Sequence, residues 1–160
     1  MTLDGKAVAQ KVLDDVRAGV ARLKDRSGIV PTLAVVLVGD FAPSKVYVAN
    51  KKRAADTVGI ASQDHIHPEG LDRAALLALL GRLNADPRVH AILLQLPLPA
   101  GLDEDDAIAA IAPEKDADGL HPENLGACWP ARRPSCRARR PAASRSSTTM
   151  AATSRAPRPS

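Results

Sequence analysis

The seven residues Thr32 to Val38, Thr-Leu-Ala-Val-Val-Leu-Val, are apolar at every position after the first. A strand with one wet face alternates polar and apolar residues, so an unbroken β-branched run must be covered on both sides. That requirement points to a parallel strand with helices on each face of its sheet. A second buried run, Ala91 to Leu96 (AILLQL), repeats the signal, and Ile60 to Ile66 reads as a weaker strand with His65 and His67 alternating. Between these runs the apolar period lengthens. Asp4 is a natural N-cap for a helix from about Gly5 to Arg26, where Val8, Val12, Val16, Val20 and Leu23 recur near every fourth residue and Ser27-Gly28 stops the run. Further helices are expected from about Pro43 to Thr57, closed by Gly59, from Asp72 to Asn84, and from Asp103 to Ile111. Strands alternating with helices predict an α/β fold, a parallel-sheet layered domain with flanking helices. Ligands of such sheets sit outside the carboxyl ends of the strands, which here are Gly39-Asp40 and Gln95-Leu96-Pro97.

Aromatic residues make up only 2% of the chain, so the core must be built from Ala, Val, Leu and Ile. No apolar run is long enough to cross a bilayer and the N-terminus does not read as a signal peptide, which predicts a cytoplasmic protein without membrane association. The charge is unevenly placed. Residues 1–126 hold fourteen Lys or Arg against all 18 Asp and Glu, whereas residues 127–160 hold eight Arg and no acid. Both cysteines, Cys128 and Cys136, lie in that second part. Having no Ile, Leu, Val, Phe or Tyr, residues 127–160 cannot bury enough apolar surface to offset chain entropy, and are expected to form a disordered Arg/Pro/Ser-rich tail behind a folded 1–126.

Three features carry chemistry. Ser44, Tyr47 and Lys51, spaced i, i+3, i+7, share a helical face, while Lys52 and Arg53 point elsewhere. Tyr47, the one tyrosine, offers a flat stacking surface beside an amine. The same spacing also suits an amphipathic helix with a solvated basic cluster. Gln95 interrupts an apolar strand end, where an unpaired buried amide would cost about 1–3 kcal/mol, so it has either a structural partner or a site to face. Pro97 and Pro99 then stiffen the segment into a possible flat wall. Asp116 and Asp118 lie in a Gly- and Pro-punctuated loop, EKDADGLHPENLG, residues 114–126. A carboxylate there can take the donor edge of an aminopyrimidinone ring, or simply cap a turn. The four histidines, His65, His67, His90 and His121, lack convincing ligand spacing, and no metal is expected.

The segments VGDFAPSKVYVANKKRAADTVGI, AILLQLPLP and PEKDADGLHPENLG, in this order and at these separations, resemble the bifunctional methylenetetrahydrofolate dehydrogenase/methenyltetrahydrofolate cyclohydrolase family. The resemblance covers residues 1–126. It implies a folate-binding catalytic domain in which Lys51 is the catalytic lysine, Gln95 assists it, and Tyr47 is the ring on which folate stacks. Asp118 would hold the pterin, and Ser44, Leu94, Leu96 and Pro97 would line the substrate site. Lys45 departs from the family's more usual Gln but faces away from the other helix residues. The implied reactions are oxidation of 5,10-methylenetetrahydrofolate with NADP or NAD and hydrolysis of the methenyl product to 10-formyltetrahydrofolate. Hydrolysis needs a neutral amine, which desolvation or nearby positive charge favours; neutral Gln95 could orient the amine without stabilising its charge. Tetrahydrofolate one-carbon derivatives are the implied ligands and a homodimer the implied assembly of the intact family.

The resemblance also implies a Rossmann cofactor domain with NADP as the expected cofactor. Its opening Pro-Cys-Thr-Pro-x-Gly and its glycine-rich turn are missing from the 160 residues. Read in another frame, Cys136 to Ala142 permits Pro-Cys-Thr-Pro-Ala-Gly, so residues 127–160 read as an out-of-frame translation after residue 126. Loss of the dehydrogenase half-reaction is the corresponding expectation. Two other readings stay open: a non-enzymatic folate-binding remnant, and a nucleic-acid binder acting through the arginine tail. The tail has no aromatic interleaving beyond Trp129, so no specific nucleic-acid partner is expected.

Overall fold

A computed structural model describes residues 4–128. Helix α1 (Gly5–Ser27) leads to strand β1 (Thr32–Val38), helix α2 (Ala42–Val58) and strand β2 (Ala61–His67). Then follow α3 (Arg73–Ala85), β3 (Ala91–Leu94), α4 (Glu104–Ala109), a 3-10 turn at Pro113–Lys115 and α5 (Pro122–Cys128). The one expected cap, Asp4, acts as read, and two further aspartates act in the same way. Asp4 accepts from the N–H groups of Lys6 and Ala7 at the start of α1, and Asp72 and Asp103 do the same for Ala75 and Asp106 in α3 and α4. Each satisfies a donor that the first helical turn cannot pair internally.

The three strands form a parallel sheet in the order β2-β1-β3. β1 is central, and its alternation feeds two cores. Ala34, Val36 and Val38 pack with Leu76, Leu79, Leu80 and Leu83 of α3 and with Ile92 and Leu94. Val35 and Leu37 face the opposite way and pack with Leu93 and with Val48 of α2. This is the two-sided burial that the Thr32–Val38 run demands.

Besides shifts of a residue or two at other element ends, three features depart from the sequence reading. β3 ends at Leu94 rather than Leu96, although Gln95 N–H still donates to Val36 O at 2.9 Å. Pro97 and Pro99 lack the N–H a continuing ladder would need. Second, the 114–126 segment is not all loop: α5 occupies Pro122–Cys128, with proline at its first position, where no N–H is required. α5 also runs two residues past 126; the remainder of the expected tail, from residue 129, lies outside the described residues. Third, α1 forms over its expected span but buries none of its residues: Val8, Val12 and Val16 of its apolar stripe remain exposed.

β2 is an edge strand whose His65 and His67 share the sheet face toward α3. The Nε2 atom of His65 is buried and unpaired among the described residues. Burial pushes its proton affinity below the ordinary value of 6.5, with His67 and Arg82 acting in the same direction and Asp64 opposing them. A lowered folded-state value means that the unfolded chain binds the proton first, so stability should fall as pH drops through about 6.5. Urea midpoints measured between about pH 7.5 and 5.5 should decline, and His65→Gln should flatten that slope. An equal slope in the variant would exclude His65 as its source.

Candidate functional site

α2 places its functional residues by periodicity. Ser44, Val48, Ala55 and Val58 form its buried stripe, with Ser44 only 2% exposed. Lys51 falls on the same stripe, between Val48 and Ala55, and is half-buried there. Tyr47, one turn before it, is 62% exposed and presents its ring to solvent. The neighbouring cations are engaged elsewhere. Lys45 pairs with Asp40, Lys52 with Asp64, and Arg53 donates to Asn50.

Gln95 follows β3. Alternation carries its side chain to the face of Leu93, the face that α2 covers. Its Nε2 donates to Leu96 O at 2.6 Å, and its Oε1 is buried without a partner among the described residues. Such an unpaired acceptor is costly to bury, which favours the facing-a-site alternative for Gln95. Leu94, expected to line the substrate site, turns its side chain inward. It is 5% exposed and packs in the α3-side core, leaving its main chain to face the strand end. Leu96 is half-buried and leans on the same core. Pro97, after a cis Leu96–Pro97 peptide, is exposed, and Leu98 N–H is held by Glu104 at 3.0 Å.

The two loop aspartates, equivalent in the sequence, have separate fates. Asp116 is the turn aspartate: its carboxylate accepts from the N–H groups of Gly119 and His121 and from the amide of Asn124. Asp118 faces the other way, with its Oδ2 3.7 Å from Lys51 Nζ. Both side chains are 38% exposed, so the pair sits at a half-open surface rather than in a sealed core. Lys115 was not singled out from the sequence. Its Nζ donates to the carbonyls of Leu83, Asn84 and Asp86, tying the loop to the end of α3. Nothing local marks that role, because the partners are main-chain atoms 29 to 32 residues away.

The fold thus carries on α2 an exposed aromatic ring and a lysine with a carboxylate across from it, and, at the carboxyl end of β3, an amide oxygen unpaired among the described residues. That set can stack a flat heterocycle, accept its donor edge and move a proton. No group of three His, Cys, Asp or Glu suited to a metal occurs among the described residues, and no helix among them is long and apolar enough to cross a membrane. A Cβ at Gly39 would lie 3.2 Å from Pro99 Cγ and 4.0 Å from Glu69 Cβ, so proline and an acidic side chain cover the backbone there.

Residues 3–118 match the family described as tetrahydrofolate dehydrogenase/cyclohydrolase, catalytic domain. The chain is 55% identical over 125 residues to bifunctional protein FolD 2 of Myxococcus xanthus, covering 78% of this chain and 43% of that protein. Among solved structures, it resembles the bifunctional FolD methylenetetrahydrofolate dehydrogenase/cyclohydrolase of Campylobacter jejuni with a TM-score of 0.75 and 41% identity, over 77% of this chain and 43% of that one. It also resembles the Trypanosoma brucei methylenetetrahydrofolate dehydrogenase-cyclohydrolase, described as complexed with NADP cofactor and inhibitor, with a TM-score of 0.78 and 35% identity, over 83% of this chain and 45% of that one. The chain thus spans less than half the length of these relatives.

Proposed function

The chain belongs to the tetrahydrofolate dehydrogenase/cyclohydrolase family, and from that premise we propose that its described residues bind a tetrahydrofolate one-carbon derivative and hydrolyse the 5,10-methenyl form to 10-formyltetrahydrofolate. The observation that carries this reading is the approach of Lys51 to Asp118 beside the exposed ring of Tyr47. In the proposed arrangement, Tyr47 stacks on the pterin and Asp118 accepts hydrogen bonds from its amino-pyrimidinone edge. Ser44, the Leu94–Leu96 main chain and Pro97 line the pocket.

Water adds to the cationic methenyl carbon, one carbon–nitrogen bond breaks, and the nitrogen released from that bond takes a proton; one proton is given up overall. Lys51 moves protons in this sequence, taking one from the attacking water as the amine and handing one on as the ammonium. Gln95 Oε1 then accepts from the amine and orients it without adding negative charge.

Oxidation of the 5,10-methylene form with NADP, assembly as a homodimer and a cytoplasmic location are proposals for the whole protein. No glycine-rich phosphate loop joins β1 to α2, where Gly39 lies against Pro99. The test is to titrate the purified 160-residue chain with tetrahydrofolate, and to follow absorbance during incubation with 5,10-methenyltetrahydrofolate. Saturable binding and accelerated hydrolysis, with no reduction of NADP when the methylene form is supplied, are expected. Binding without turnover would leave a folate-binding remnant, and no binding would end the proposal.

A further inference from the structure

The proposed folate site leaves one carboxylate unused, and it is the most heavily engaged in its segment. Asp116 Oδ1 accepts from Gly119 N–H at 3.0 Å, and its Oδ2 accepts from His121 N–H at 2.8 Å and from Asn124 Nδ2 at 3.0 Å. Asn124, on α5, also donates to Pro113 O at 2.8 Å, on the far side of the same turn. The main chain here is fixed from the other direction. Asp116 pairs with Ile92 of β3, and Ala117 N–H donates to Ile92 O at 3.1 Å. Asp118 stands at the apex between these two sets of ties, followed by Gly119 with φ at +69°, a conformation that other residues adopt only under strain.

We propose that Asp116 is a positioning residue for Asp118: by gathering the donors of residues 119–124 onto one carboxylate, it holds the Asp118 carboxylate toward Lys51 and the pterin edge. The inference rests on the folate reading. A carboxylate offers about four acceptor positions, and with three taken Asp116 cannot also receive the paired donors of a pterin. Asp118, whose ion-pair partner among the described residues is Lys51, can. Two parallel hydrogen bonds tolerate little angular error, so an apex free to swing would lose affinity while the chemistry at Lys51 stays intact.

The experiment compares tetrahydrofolate affinity of the purified 160-residue chain with that of Asp116→Asn, Asn124→Ala, Asp118→Asn and the Asp116→Asn/Asp118→Asn double variant. Asparagine at 116 turns an NH2 against one of the donors, and about tenfold weaker binding is expected. Asn124→Ala removes one donor of three, for about threefold, and Asp118→Asn should cost about ten- to a hundredfold. If Asp116 acts through Asp118, the double variant binds no more weakly than Asp118→Asn; additive losses would indicate a merely structural residue and overturn the proposal. In methenyl hydrolysis Asp116→Asn should raise KM with kcat within about twofold. Should Asp116→Asn lose its helical signal, Asn124→Ala carries the comparison, and affinity equal to the parent's would overturn the proposal. A parent chain that fails to bind tetrahydrofolate removes the folate reading and this inference together. A parent that binds, with Asp116→Asn unchanged, removes this inference alone.

Discussion

Lys51→Met should lower the rate of 5,10-methenyltetrahydrofolate hydrolysis by about 10²- to 10⁴-fold, the usual worth of a positioned proton-transfer group. Tetrahydrofolate affinity should stay within about tenfold, because stacking on Tyr47 and the Asp118 hydrogen bonds supply most of the binding. Methionine keeps the length and apolar character of the lysine stem, which lies on the α2 stripe between Val48 and Ala55. The fold should therefore tolerate it. The change also removes the cation 3.7 Å from Asp118 and leaves that carboxylate free for the pterin. Single-turnover hydrolysis beside a binding titration separates the two effects. Hydrolysis at the parent's rate would take Lys51 out of the mechanism, and loss of binding without loss of turnover at saturation would make it a binding residue only.

The second large effect is on stability. Leu80→Ala should lower the unfolding free energy by about 2–5 kcal/mol, a substantial share of the roughly 5–15 kcal/mol of an ordinary domain. Leu80 is 0% exposed at the centre of the α3-side core, packed among Leu76, Leu83, Val89 and Ile92. Truncation there leaves a cavity that a helix fixed at both ends cannot close. Asp72 caps its first turn, and Lys115 holds the carbonyls of its last. Urea denaturation should show a lower midpoint with an unchanged slope. A loss below about 1 kcal/mol would mean that α3 slides inward to refill the space.

How far the sequence spoke depended on how local the signal was. The Thr32–Val38 run announced a central strand by itself, and Asp4 marked the start of α1, because a strand covered on both faces and a capped first turn are properties of adjacent residues. The face shared by Ser44, Tyr47 and Lys51 was equally readable, since helical periodicity sets it. The division of labour between Asp116 and Asp118 was not. Both stand in one short loop, and what separates them is the Asn124 amide on one side and the Lys51 amine on the other. α5 was hidden for a related reason: Pro122, His121 and Gly126 read as loop punctuation, whereas His121 Nδ1 accepts from Glu123 N–H and helps start a helix. α1 was readable as a helix, but its exposed valines were not. Its pattern states which face is apolar and says nothing of what covers it.

The sheet order β2-β1-β3 has a consequence in time as well as in space. β1 and β2 are separated only by α2, so their pairing closes a shorter loop than the pairing of β1 with β3, which must wait for α3 to be made. Gln95 gains its place through the bond from its N–H to Val36 O, and Asp118 through that of Ala117 to Ile92. Both therefore depend on the later pairing. Lys51 and Tyr47 ride on the early half of the sheet, and their partners arrive with the late half. Any fluctuation that detaches β3 dissolves the proposed site while β1, α2 and β2 remain paired, so that site shares the fate of the last strand to dock.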